Sequence, residues 1–138
     1  MGRFLAIDHG HKRVGFAISD PLGIIAKPFK TITYKHIDDL CNQIKTIINE
    51  KEIICVVLGL PKGMKGNDTQ QTKHVLEFAE ILKTQINIPI NMEDERLSSV
   101  SAEKALIQQR VKTGHNKGRI DETAAAIFLQ QYLDRNRS

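Results

Sequence analysis

Phe4-Leu5-Ala6-Ile7-Asp8-His9-Gly10 is the stretch on which the reading of this chain turns. Leu5 and Ile7 fall on one alternating face and Phe4 and Ala6 on the other. A strand apolar on both faces belongs in the middle of a sheet, covered on both sides. The run ends abruptly in the carboxylate of Asp8, and a glycine follows two residues later. On local grounds Asp8 is either a turn-forming acid that bonds its own backbone or the first member of a site.

Working outward, the polar segment Asp8–Arg13 reads as a turn, and Val14–Ser19 resumes as a strand, so the two form a hairpin. Asp20-Pro21-Leu22-Gly23 is a second turn, and Ile24–Thr33 offers a third strand whose Pro28 suits a sheet edge. The period then changes. Ile37, Leu40, Cys41, Ile44, Ile47 and Ile48 recur at helical spacing. Ile53–Leu58 is a buried parallel strand that runs into Gly59-Leu60-Pro61. Asp68 or Thr69 caps a helix with Val75, Ala79, Leu82 and Ile86 inward. Ile88–Met92 is a short strand, followed by the charged tetrad Glu93-Asp94-Glu95-Arg96. Ser98 or Ser99 caps a further helix, with Ala102, Ala105 and Leu106 inward. Arg110–Arg119 reads as a mobile basic loop. A last helix starts near Ile120 and carries Asp121, Ala125, Phe128, Leu129 and Tyr132 on one stripe.

A meander followed by strands that alternate with helices implies an α/β fold. Its mixed sheet has five strands, three antiparallel and two parallel, flanked by helices on both faces. The length suits one domain over residues 1–138. Composition is that of an ordinary globular protein, 41% hydrophobic and 26% charged, with a net charge of +4 that lends only slight support to a nucleic-acid partner. No apolar run approaches the roughly 18 residues of a membrane span, and no leader pattern opens the chain, so a cytoplasmic protein is expected. Cys41 and Cys55 read as small buried hydrophobes of a reducing compartment.

The chemistry is in the acids. In open α/β sheets the ligand crevice lies beyond the carboxyl ends of the parallel strands. If the first, fourth and fifth strands are parallel, Asp8, the Gly59 corner and Asp94 or Glu95 share that rim. Asp121 is an acid on a stripe that the rest of its helix buries, where a carboxylate needs a partner. Period-2 alternation groups Asp94 with Ile90 and Met92, and Glu95 with Asn91 and Glu93; it does not choose between them at a strand end. Two like charges about 4 Å apart repel by about 4 kcal/mol at an effective dielectric of about 20. A hard divalent cation resolves that repulsion, and Mg²⁺ suits carboxylates, retained waters and phosphate oxygens. Two such ions could activate water and stabilise the leaving oxygen of a phosphodiester. Lys12, Arg13, Lys62, Lys65, Arg96, Arg110, Lys112, Lys117 and Arg119 would together flank the crevice and hold a polyanionic backbone.

The same residues carry a family resemblance. Ala6–Gly10 with Lys12-Arg13-Val14-Gly15 and Ser19-Asp20 resembles the opening motif of the YqgF/RuvX family of Holliday junction resolvases and pre-16S rRNA nucleases. Gly59-Leu60-Pro61 with Gly66, then Asp94–Ser99, then Lys117–Asp121 with Ala124-Ala125 and Leu129–Leu133, resemble its later motifs in the same order. The resemblance implies a ribonuclease H-like fold and a metal-dependent endonuclease using Mg²⁺ or Mn²⁺. Its catalytic acids would be Asp8, Asp94, Glu95 and Asp121, with Asp8, Glu95 and Asp121 on the metal. The implied role is trimming the 5′ end of pre-16S rRNA, on ribosomal precursor particles, as a monomer or weak homodimer. The alternatives are a resolvase of branched DNA and a non-catalytic RNA-binding assembly factor. His9 and His11 stand where members often have an aromatic residue and Thr, a departure that would alter substrate contacts.

Overall fold

The computed structural model describes residues 2–10, 13–61, 65–94 and 117–136, with the side chains of 117–120 outside that description. The elements are β1 (Arg3–His9), β2 (Arg13–Ser19), β3 (Ala26–Thr33), α1 (Ile37–Lys51), β4 (Ile53–Leu60), α2 (Gln70–Lys83), β5 (Ile90–Asp94) and α3 (Lys117–Asn136). The expected helix after Ser98 lies outside the described residues.

The sheet order is β3-β2-β1-β4-β5. β1 pairs antiparallel with β2 and β2 with β3, while β1, β4 and β5 run parallel. The doubly apolar β1 is therefore the central strand. Its two faces feed two cores. Leu5 and Ile7 pack with Val56, Leu58 and the apolar stripes of α1 and α2, including Leu40, Ile44, Val75 and Leu82. Ala6 packs with Ala17 and Val57 against Ala124, Ala125, Phe128 and Leu129 of α3. Small residues on that second face let α3 lie close to the sheet.

Several boundaries differ from the sequence reading. β3 begins at Ala26 rather than Ile24, because the Asp20 carboxylate accepts from the backbone N–H groups of Ile24 and Ile25 at 2.7 and 2.8 Å and keeps them in the turn. Those bonds hold the Asp20 carboxyl below its ordinary pKa. β5 runs to Asp94, since pairing of Gly59 with Glu93 and of Leu60 with Asp94 carries the ladder two residues further. Glu93 and Asp94 are thus strand residues rather than a loop beyond the strand. α3 starts at Lys117, one turn earlier than Ile120, and absorbs Gly118 at the modest cost a helical glycine imposes. Pro28 sits in the edge strand β3, opposite Ala17 and beside a register shift.

The start of α2 ties two strand ends together. Thr69 caps the helix, and its hydroxyl and backbone are satisfied reciprocally with Thr72. The Thr72 hydroxyl also donates to the Pro61 carbonyl just beyond β4. Next to it, Gln71 Nε2 donates to the carbonyl of His9 at 2.7 Å. The rim at the carboxyl ends of β1 and β4 is therefore fixed from one helical turn.

Candidate functional site

The site is built on register. Asp8 follows Ala6 by two residues and so shares the face covered by α3. Its cross-strand partner on β2 is Gly15. On the other side Ala6 pairs with Val57, so Gly59 stands level with Asp8, and Glu93 is the partner of Gly59 on β5. Asp8 is thus flanked on both neighbouring strands by positions without a side chain.

Gly15 brings in the second acid. A Cβ placed on Gly15 would lie 2.3 Å from the carbonyl carbon of Asp121, 2.5 Å from its carbonyl oxygen and 2.6 Å from its Cβ. The first turns of α3 therefore rest directly on the β2 backbone, where any larger residue would collide. Cross-strand Cα atoms are separated by about 4.5–5.5 Å, which puts Asp121 within a side chain's reach of Asp8. Asp8 is 7% exposed. Asp121 also receives Arg13, whose Nε lies 3.1 Å from Oδ2. Arg13 shares the parity of Gly15 on β2, which is why a residue 108 positions away reaches that carboxylate.

Among the expected site residues, the structure brings Asp8, Asp121 and Arg13 to one rim. Lys117 and Arg119 belong to the first turn of α3, at the same end as Asp121. Lys65 is exposed, beyond β4. Asp94 pairs with Leu60 and follows Met92, so it belongs to the face opposite Asp8. Glu95, Lys12, Lys62, Arg96, Arg110 and Lys112 lie outside the described residues, as does His11. Among the described residues no group of three or more His, Cys, Asp or Glu side chains could hold a metal ion.

Two residues behave differently from the sequence reading. His9 faces the α1/α2 side, stacked on Phe78 with ring centroids 4.6 Å apart, and its Nε2 lies 2.9 Å from the Tyr34 hydroxyl. It is a packing residue behind Asp8, not a group presented to a substrate. Phe78 itself was not among the expected inner residues of α2, although its spacing from Val75 and Leu82 is helical.

Glu93 opens the charged tetrad that the sequence places after the fifth strand. It is fully buried and accepts both terminal guanidinium nitrogens of Arg135, one of them at 2.7 Å. Breaking a buried charge pair costs about 3–5 kcal/mol, and the half-exposed side chain of Arg135 lowers that figure here. Arg135→Ala is expected to destabilise by about 2 kcal/mol, measured by thermal unfolding. Adding Glu93→Leu to that variant should restore most of the loss; a double variant no more stable than the single would show that the pair is not what stabilises this corner.

Cys41 and Cys55 are buried and free, and burial pushes both thiols up from their ordinary pKa, which removes them as nucleophiles. No helix among the described residues is long and apolar enough to cross a membrane.

A mixed five-stranded sheet in this order, with an acid ending the central strand and a second carried over it by the last helix, defines a ribonuclease H-like fold with a candidate nuclease site. The fold is shared with Thermus thermophilus RuvC in complex with a Holliday junction substrate, at a TM-score of 0.61 and 10% identity over 98% of this chain and 95% of that one. The fowlpox virus resolvase bound to Holliday junction DNA matches at a TM-score of 0.54 and 10% identity over 99% of both chains. The chain belongs to the RuvX family, described as Holliday junction resolvase, whose model matches residues 2–135. A relative from Clostridium kluyveri is 41% identical over 96% of this chain and 97% of its own. One from Desulforamulus reducens is 43% identical over 96% of each. Both carry the name "Putative pre-16S rRNA nuclease".

Proposed function

We propose that the protein is a divalent-metal-dependent endonuclease that cuts structured RNA at the 5′ end of pre-16S rRNA. The observation that carries the reading is the seating of Asp121 on Gly15, the cross-strand neighbour of Asp8, at the rim where β1 and β4 end. Two carboxylates brought together out of bulk water need positive charge, and their oxygens are the donors that Mg²⁺ or Mn²⁺ prefers. Asp8, Asp121 and Glu95 would hold the metal. Glu95 is favoured over Asp94 because alternation groups it with Asn91 and Glu93, the β5 residues on Asp8's face, whereas Asp94 belongs to the other. When bound, such ions supply an activated water and stabilise charge on the leaving oxygen.

The chain's own residues position the substrate. Arg13 stands at the rim, and Lys117 and Arg119 at the start of α3; with Lys65 and the expected Lys12, Lys62, Arg96, Arg110 and Lys112 they would hold phosphates on either side of the acids. Such contacts recognise backbone shape rather than sequence, which suits a folded RNA. The names of the curated relatives support pre-16S rRNA as the substrate; precursor ribosomal particles in the cytoplasm would be the setting of such a substrate. The family's description supports a second reading, cleavage of a four-way DNA junction.

A side-by-side incubation decides between them. The purified protein is expected to cut a precursor 16S transcript in Mg²⁺ or Mn²⁺ and not in chelator, and to leave a four-way junction intact. Cleavage of the junction alone would reverse the assignment, and cleavage of neither would leave binding as the function.

A further inference from the structure

The structure assigns Arg13 a role besides phosphate binding: we infer that it is a built-in stand-in for the metal, a counter-charge on Asp121 that a divalent ion must displace. The inference rests on the metal-binding reading above. Arg13 approaches Asp121 through Nε alone, at 3.1 Å, rather than through the parallel two-nitrogen fork by which arginine grips a carboxylate most firmly. Compare Arg135, which uses both terminal nitrogens on Glu93. The Arg13 side chain is 39% exposed, so its head can leave without dragging apolar groups into water. Asp121 is fixed, since its backbone is seated on Gly15. The pair thus joins a movable cation to an acid whose backbone is held against the strand beside Asp8.

A guanidinium and a divalent ion on the same carboxylate repel each other. Arg13 therefore stabilises the acids when no metal is present and weakens metal binding by the same interaction. By linkage, removing its charge must tighten the metal and loosen the metal-free protein. Arg13 is a positioning residue in this role, acting through Asp121. A purely structural arginine would not raise metal affinity on removal.

The test uses the whole protein with Mn²⁺ alone and no nucleic acid. Arg13→Gln is expected to bind Mn²⁺ about tenfold more tightly than wild type, within the usual range of coupling between adjacent sites. Titration calorimetry or the resonance signal of free Mn²⁺ reads it. In chelator Arg13→Gln should melt below wild type, and saturating Mn²⁺ should raise its melting temperature by more than it raises that of wild type. Arg13→Lys keeps the charge and should match wild type in affinity. Equal or weaker Mn²⁺ binding by Arg13→Gln, with binding in wild type abolished by Asp8→Asn, overturns the stand-in role while sparing the metal site. Tight binding by Arg13→Lys overturns the account by charge. Failure of wild type to bind Mn²⁺ overturns the metal reading and this inference together.

Discussion

Asp8→Asn protein is expected to lose nuclease turnover by about a thousandfold or more while keeping its fold. The amide has nearly the shape of the carboxylate but no charge to share with a cation. A metal that stabilises several kcal/mol of transition-state charge is worth about three orders of magnitude at 1.36 kcal/mol per decade. Stability should change little. Asp8 is a buried acid paired across the sheet with Gly15, on which Asp121 is seated; removing one of two like charges relieves repulsion, while the amide keeps the shape and the hydrogen-bonding capacity of the side chain. The melting temperature in chelator should therefore stay near that of wild type, as for a group kept for activity rather than for folding. Unchanged cleavage by Asp8→Asn in Mg²⁺ would falsify the catalytic reading and leave a nucleic-acid-binding module.

Gly15→Ala is expected to be strongly damaging for a single added methyl group. The added Cβ would meet the backbone of Asp121 at 2.3–2.5 Å, well inside contact distance. The obstacle is helix backbone, which cannot rotate away as a side-chain tip would. α3 is pinned further along by Ala124, Ala125, Phe128 and Leu129, so it must tilt off the sheet at its first turns. Overpacking costs about 1–3 kcal/mol, and a backbone clash belongs at the upper end. A loss of about 3 kcal/mol lowers the melting temperature of a chain this size by about 10 °C. Turnover should drop by about a hundredfold in the fraction that stays folded, the penalty for moving a reacting group by about 1 Å. A Gly15→Ala protein that melts and cuts like wild type would mean that α3 is not seated on β2.

Much of this arrangement was legible in the chain. Phe4–Asp8 announced a central strand ending in an acid, and the change from period two to period 3.6 near Ile37 announced the switch from meander to parallel strands. Asp121 stood out because it interrupts a stripe that is otherwise apolar. These signals are local. The illegible parts are those set by register between distant segments. Gly15, although part of the opening motif, shows no physical reason for lacking a side chain until Asp8 is paired with it and Asp121 laid over it. Alternation parts Glu93 from Asp94 without saying which face each takes; pairing with Gly59 and Leu60 sends one toward Arg135 on the α3 side and the other to the opposite face. His9 looked like part of a substrate-facing turn because nothing local foretells its stacking on Phe78, 69 positions later. The pairs Arg13–Asp121 and Glu93–Arg135 have no spacing signature, since periodicity reports which face a residue shares and not what crosses to meet it.

The seating of α3 has a consequence for when activity arises. Translation delivers β1 with its acid first, and α3 with the companion acid more than a hundred residues later. Until that helix docks, the proposed acid set lacks Asp121, and the sheet face of Ala6, Ala17 and Val57 lacks its cover. With the two acids acting as proposed, hydrolytic competence and burial of that apolar surface would arrive in one event, and a half-made chain would be unable to nick the RNA of the ribosome that is making it.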